Sequence, residues 1–376
     1  MSQSNQIPTS TDANSAVDRR NGAPVEVSSV IPPNLTVISY AGRGTFGDVY
    51  FTIPTFDLAL AQAAVTSQID LAAATDMALQ KLIAVKIAYA SSDSSSIRSL
   101  KNEIKTLQII RETNQAAKEA TAAAVAIEQQ AVTEETTEDR TRRPKLTKSE
   151  AFFQILDSGV GPLENTHFLI TTTLPLICTL DALKPHLLAL PETFTWLLYL
   201  EVSKALSWLN ETCKPGIAQG DLHWANILIG YQSLDPQVGR ALPQVKLIDF
   251  GKSVIHGAEE GFMYEEKYKK TVRDDKGHLI GMLDFMLNKI MSGGSARSQD
   301  LRGLYRFIQY AAKSRDDEKA MQFHALNQRF KKLAEQNLAD VTQADCVDIW
   351  NRVMEVTVER RGKIKGKIQK LLQVST

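Results

Sequence analysis

Cysteine is scarce in this chain of 376 residues: only Cys178, Cys213 and Cys346 occur, far apart and without a CxxC pair. That argues against a disulfide-stapled scaffold and a thiolate zinc site, and for a reducing compartment. No charge of one sign prevails either. Lys plus Arg and Asp plus Glu both number 43, so no global field draws the protein to nucleic acid. Long apolar runs are missing as well. Stretches such as Phe194–Leu200 are far too short to span a bilayer, and residues 1–30 hold no continuous apolar segment of the secretory kind. The expectation is a soluble, cytoplasmic protein with no transmembrane segment.

The length suits two to three domains or one large two-lobed one. Residues 1–34 are rich in Ser, Thr, Asn and Pro and poor in large apolar side chains, the composition of a disordered segment. From Leu35 to Tyr50 the pattern is strand-like around a glycine cluster. The Ala- and Leu-rich stretch 55–80 predicts an inserted helical excursion. "KLIAVKIAYA" (81–90) predicts a strand with Ile83, Val85 and Ile87 on one face and Ala84, Lys86 and Ala88 on the other. "SSSIRSLKNEIKTLQII" (94–110) opens on capping serines and spaces Leu100, Ile104 and Leu107 as a helix does. Residues 115–150 are a second insert, partly helical and partly loop. "AFFQILDSGV" and "HFLITTTLPL" predict a strand pair, and Thr193 to Thr212 a long helix. After "VKLIDFG" (245–251) no proline remains and the pattern is mostly helical. Strands crowd the first half and helices the second, an α+β chain with two lobes. The boundaries expected are 1–34, 35–173 with its inserts, and 174–376.

Five short stretches carry chemistry. "AGRGTFGDVY" (41–50) sets Gly42, Gly44 and Gly47 in GxGxxG spacing, which lets backbone N–H groups approach phosphate oxygens. Alone, the pattern fits a structural turn equally well. Strand-like Val49–Ile53 follows it, whereas a dinucleotide fold would continue into a helix. Lys86 shares its face with Ala84 and Ala88, small neighbours that leave room for a flat ligand. Glu103 borders the apolar stripe of its helix and is placed to hold Lys86. "GDLHWAN" puts Asp221 five residues before Asn226, and "KLIDFG" ends an apolar strand in Asp249. Oxygen ligands of this type suit Mg²⁺ with phosphate co-ligands.

In that order, G-R-G-T-F-G-D-V-Y, A-V-K, a helix Glu, D-L-H-W-A-N and D-F-G, the chain resembles the protein kinases over residues 36 to 290. The resemblance implies a bilobal protein-kinase-like fold with a β-rich N-lobe and a helical C-lobe. It implies ATP and Mg²⁺ as cofactors, with Gly42, Arg43, Gly44, Thr45, Phe46, Gly47, Val49, Ala84 and Lys86 around the nucleotide. Lys86 would contact the α- and β-phosphates and pair with Glu103. Asp221 would accept the substrate hydroxyl proton, and Asn226 and Asp249 would hold the metal. A protein substrate bearing Ser or Thr is the implied acceptor.

The chain also departs from the family. Gln219-Gly220 stands before Asp221 where His-Arg is usual, so activity is expected without phosphorylation of an activation loop. His223 stands where Ser/Thr kinases carry Lys, and "GDLHWAN" is similar to the loop of aminoglycoside and choline phosphotransferases. A small-molecule phosphotransferase is therefore the rival reading, and a nucleotide-binding pseudokinase scaffold the third. No Ala-Pro-Glu follows Asp-Phe-Gly, a compact arrangement similar to divergent kinases of bacterial-effector or viral type; delivery into a host cell stays open. Asp274 or Asp275 is the candidate to brace the catalytic loop. The C-terminal "ERRGKIKGKIQKLLQ" (359–373) carries six basic residues among Ile364, Ile368, Leu371 and Leu372. It reads as a packed terminal helix with a solvated basic face, or as a contact for an anionic surface or acidic partner.

Overall fold

A computed structural model describes residues 15–17, 24–26, 30–44, 47–89, 95–131, 151–161, 166–233, 241–258, 262–292, 298–313 and 317–373. It is a mixed α+β structure, with most strands early in the chain and a helical C-terminal part. The chain divides into two compact units.

The first unit comprises Met1–Ile104, Ile155–Pro175 and Val358–Thr376. Strands β1 (Ser15–Val17) and β2 (Pro24–Glu26) form a small antiparallel pair. Five more strands, β3 (Leu35–Gly44), β4 (Gly47–Pro54), β5 (Ile83–Tyr89), β6 (Ile155–Val160) and β7 (Thr166–Thr172), make one antiparallel sheet in the order β3-β4-β5-β7-β6. The alternation along β5 sets its register. Val85 and Ile87 join Val30, Ile31, Tyr50, Phe168 and Ile170 in a buried cluster, while Lys86 points to the other face. A slip of one residue would bury the lysine and expose the valine and isoleucine, so the register is strongly specified.

Helices α1 (Thr55–Thr66) and α2 (Leu71–Leu79) occupy the Ala-rich stretch between β4 and β5. Asp70 caps α2, its carboxylate accepting from the Ala72 N–H. The last helical stretch of the chain belongs to this same unit. Gln62 Nε2 donates to the Leu371 carbonyl at 2.9 Å, and Lys365 Nζ lies 2.9 Å from Asp76. Ile364, Ile368 and Leu372 are buried, so the apolar stripe of the basic segment is used inside the protein.

The second unit comprises Lys105–Gln154 and Leu176–Thr357. Helix α3 (Ser95–Ala131) gives its first residues to the first unit and the remainder to this one. Strand β8 (Leu176–Thr179) is followed by α4 (Leu180–Leu183) and α5 (Glu192–Ser207). Strands β9 (Ile217–Ala218), β10 (Ile227–Tyr231), β11 (Gln244–Leu247) and β12 (Val254–Ile255) come next. They form two small antiparallel sheets, β11-β10-β8 and β12-β9. Helices α6 (Phe262–Ser292), α7 (Gln299–Lys313), α8 (Asp317–Ala339) and α9 (Gln343–Gln373) complete the chain. Helix α5 is buried around most of its circumference, with Phe194, Trp196, Leu197, Tyr199 and Val202 all buried, and its polar residues Glu201, Lys204 and Ser207 gather on one partly exposed side. So wide an apolar face places the helix well inside its unit.

Three features differ from the sequence expectation. Helix α3 does not end near residue 110 but continues to Ala131, because nothing from Ser95 onward interrupts it: the stretch contains neither glycine nor proline. The remainder of the expected second insert, 132–150, lies outside the described residues. Within the segment expected to lack structure, β1 and β2 pair and Val30 and Ile31 are core residues. Two apolar side chains just before Pro32-Pro33 are too short a signal to alter the composition of the segment. Residues 358–373 belong with the first unit rather than the second. Cys178, Cys213 and Cys346 are buried thiols that form no disulfide among the described residues. Among the described residues no helix is long and apolar enough to cross a membrane.

Candidate active site

In the first unit the sheet presents Lys86 beside Val49. The two are opposite one another on β5 and β4, and Ala84, two residues earlier on β5, shares their face. Lys86 Nζ meets Glu103 Oε2 of α3 at 2.6 Å. Their side chains keep only 12% and 8% of their exposure, so each charge offsets part of the other's lost hydration. Val49, Ala84, Lys86 and Glu103 thus share one neighbourhood.

The glycine hairpin connects β3 and β4, and Gly44 faces Gly47 across it. Thr45 and Phe46 lie outside the described residues. At Gly47 a side chain has no room: a Cβ would run into the Ile87 carbonyl oxygen of β5. Arg43 is held by its cross-strand partner Asp48. Its Nε donates to Oδ1 at 2.7 Å and its Nη2 to Oδ2 at 3.3 Å. The hydroxyl of Tyr40 donates to the same carboxylate at 3.3 Å. Burial, and then the Asp48 charge, push the Tyr40 phenol up to about 12. The Arg43 side chain therefore braces the hairpin through the buried Asp48, a role the spacing of the glycines did not reveal.

In the second unit the loop from Gln219 to Asn226 links β9 to β10. Asp275 of α6, only 1% exposed, accepts from the Gln219 N–H at 2.7 Å and the Gly220 N–H at 2.9 Å. Of the two candidates, Asp275 rather than Asp274 braces the loop. Burial raises the Asp275 carboxyl to about 6, against the lowering effect of those two N–H groups. Gly220 adopts φ +80°, and a Cβ there would collide with the Lys252 carbonyl oxygen. Glycine is required on both counts.

Gln219 organises the rest of the loop. Its side chain is buried, with Oε1 accepting from the Asp221 N–H at 2.6 Å and Nε2 donating to the carbonyls of Ile248 and Asp249 at 3.2 and 3.3 Å. One amide thus ties the backbone at Asp221 to the backbone at Asp249. Asn226 Nδ2 donates to the Asp221 carbonyl at 2.9 Å, which leaves the amide oxygen as the donor a hard cation would take. The Ile248 N–H donates to the Asn226 carbonyl at 3.0 Å, so the strand leading to Asp249 is fixed against this loop. Asp249 is left-handed, at φ 59° and ψ 72°. A non-glycine residue in that region costs about 1–3 kcal/mol and persists only where its surroundings hold it; here Gln219 does so through the Asp249 carbonyl. Phe250 is buried, its ring 5.9 Å from Phe152.

Asp221 has a lysine and an imidazole near its carboxylate. Lys252 Nζ lies 3.0 Å from Oδ1 and His223 Nε2 lies 3.8 Å from Oδ2. His223 also caps the short 3-10 turn Trp224–Asn226, its Nδ1 accepting from the Ala225 N–H at 3.2 Å. Sequence reasoning did not single out Gln219 as an organiser, nor Lys252 or Asp48. The first had a weak signal, a polar residue in an otherwise apolar "GIAQG". The others had none, because their partners are set by the folding of distant backbone.

Asn226 and Asp249 supply an amide oxygen and a carboxylate, a donor set that suits Mg²⁺ sharing its shell with phosphate and water. Among the described residues no group of three His, Cys, Asp or Glu side chains forms a metal cage. No protein-family model matches the chain, and no curated protein matches it.

Proposed function

We propose that the chain is an ATP- and Mg²⁺-dependent protein kinase with a bilobal kinase-like fold, transferring the γ-phosphate to Ser or Thr hydroxyls of a protein. The observation that carries this reading is the Lys86–Glu103 pair, 2.6 Å long and nearly buried, on the face that holds Val49 and Ala84. A lysine so held offers a fixed cation to phosphate oxygens, and the two small or branched neighbours leave a flat apolar surface for an adenine. The order of the strands around it, and the backbone N–H groups near Gly42, Gly44 and Gly47, support the same assignment.

The residues of the second unit divide the remaining work. Asp221, oriented through Gln219 and partly accessible, takes the proton of the acceptor hydroxyl. Asn226 and Asp249 hold Mg²⁺, which when bound screens phosphate charge. Lys252, beside Asp221, places a positive charge where charge develops on the transferring group. Little covalent chemistry is asked of the protein; positioning and electrostatic stabilisation supply the rate.

The test is transfer of labelled phosphate from ATP with Mg²⁺ to the chain itself and to a generic basic protein. Asp221→Ala and Asp249→Ala run alongside. Label on protein, lost in both variants, is the expected result. ATP binding without label on any protein acceptor would sink the reading. The loop Asp-Leu-His with Asn226 favours one rival, a small-molecule phosphotransferase; a screen of hydroxylated metabolites as acceptors decides between them. Nucleotide binding with no turnover of either class of acceptor would leave a pseudokinase scaffold.

A further inference from the structure

Helices α7 and α8 of the second unit, which hold none of the proposed catalytic residues, border a cavity of about 570 Å³. Arg302 and Arg306 line it from α7 and Arg329 from α8, with Phe330 and Leu333 supplying an apolar surface. Arg302 and Arg306 are four residues apart on one helix, and so neighbours on its surface. Among the described residues none of the three guanidinium groups has an ion-pair or hydrogen-bond partner. Three like charges around one hollow repel one another, and an anion seated among them would turn that repulsion into attraction.

We propose that this cavity binds a phosphorylated serine or threonine side chain of a protein partner. Guanidinium forks match phosphate oxygens two at a time. Three arginines less Asp300, which also lines the cavity, leave a local charge that matches the roughly −1.5 to −2 of a phosphomonoester. The volume is far larger than a phosphate needs, so residues on either side of the phosphorylated one have room against Phe330 and Leu333. That surface is firm: Phe330 is buried and stacks on Phe307 with ring centroids 4.9 Å apart. A nucleic acid or a sulfated polysaccharide would call for a long track of cations, whereas here they gather at one hollow in a chain with no excess of either charge. The inference goes beyond the kinase reading and does not depend on it.

The experiment uses the full chain and three fluorescent probes: a degenerate peptide library centred on phosphoserine, the same library unphosphorylated, and heparin. Anisotropy is expected to show phosphopeptides binding at least about 10-fold more tightly than their unphosphorylated counterparts, with heparin no tighter. The triple variant Arg302→Ala, Arg306→Ala, Arg329→Ala is expected to abolish the difference. The corresponding triple Lys variant, which keeps the charge and guards against misfolding, is expected to retain only part of it. Asp221→Ala is expected to bind like the parent, which separates this site from the proposed catalytic one. Equal binding of the two peptide libraries, an unaltered difference in both triple variants, or tighter heparin binding would overturn the proposal.

Discussion

Lys252 Nζ and Asp221 Oδ1 stand 3.0 Å apart. The pair is partly open to solvent, with side-chain exposures of 49% and 24%, so it adds little to stability. Its value under the proposed function is chemical. Lys252→Ala is expected to lower kcat about 10- to 100-fold while ATP affinity changes less than about 3-fold, and Lys252→Arg to recover part of the loss. Steady-state kinetics with ATP varied would check this; a rise in KM for ATP at unchanged kcat would assign Lys252 to nucleotide binding instead.

Lys86 and Glu103 form the opposite case, a pair with little water around it. Lys86→Met removes the cation bonded to the nearly buried Glu103 carboxylate and is expected to destabilise the fold by about 3–5 kcal/mol. The double variant Lys86→Met, Glu103→Met removes both charges and is expected to be less destabilised than the single one. Urea unfolding of the parent, the singles and the double would measure the coupling. Strict additivity would show that the two do not act as a pair.

Asp275 makes stability depend on pH in a defined sense. Its carboxyl is raised from 3.8 to about 6 in the folded protein, so the protonated form is the one folding favours. The stabilisation is complete below about pH 4 and is lost as pH rises through about 6. It amounts to roughly 3 kcal/mol, since a tenfold change in proton affinity is worth about 1.4 kcal/mol. Asp275→Asn is expected to flatten the unfolding free energy across that window. It is also expected to loosen the loop, because an amide offers only one acceptor to the two N–H groups of Gln219 and Gly220. Thermal melts of both proteins from pH 4 to 7 would show it, and parallel curves would contradict it.

Gly220→Ala meets both a left-handed backbone and the Lys252 carbonyl. The strain alone is roughly 1–3 kcal/mol, and the loop must shift to relieve the contact. Phosphate transfer is expected to fall at least about 10-fold under the proposed function, with a lower melting temperature. A variant as stable and as active as the parent would show that the loop has slack.

The residue before Asp221 is this glycine rather than an arginine, so no cation stands there to await a phosphorylated activation segment. Under the proposed function, phosphatase treatment of the purified protein is expected to leave the transfer rate unchanged, measured before and after. A collapse of the rate would refute this.

Part of this arrangement is legible in the sequence. The strand through Lys86 is readable because small and branched residues alternate across it. Glu103 is readable because it borders the apolar stripe of a helix whose sequence opens on serines. Choosing between Asp274 and Asp275 is beyond pattern: neighbours on a helix differ in direction by about a quarter turn, and only packing tells which one meets the loop. Gln219, Asp48 and Lys252 act through backbone or side chains whose positions depend on chain reversal and sheet register. The length of α3 escapes pattern because its Ala- and Thr-rich continuation has the composition of an insert, and a long helix needs no apolar stripe where it makes few contacts.

The hydrogen bond from Gln62 to Leu371 joins residues 309 positions apart in the chain. A ribosome makes β3, β4 and β5 long before it makes the helical stretch that covers part of their unit. That unit cannot be finished in the order it is synthesised, and its closure waits on the final residues described. Slow closure of such distant contacts is the general expectation. Nascent chains halted before residue 358 should therefore hold the first unit open and sensitive to protease while the second is already protected. A fusion partner placed after residue 373 would act on the β-sheet unit, not on the helical one that precedes it in sequence.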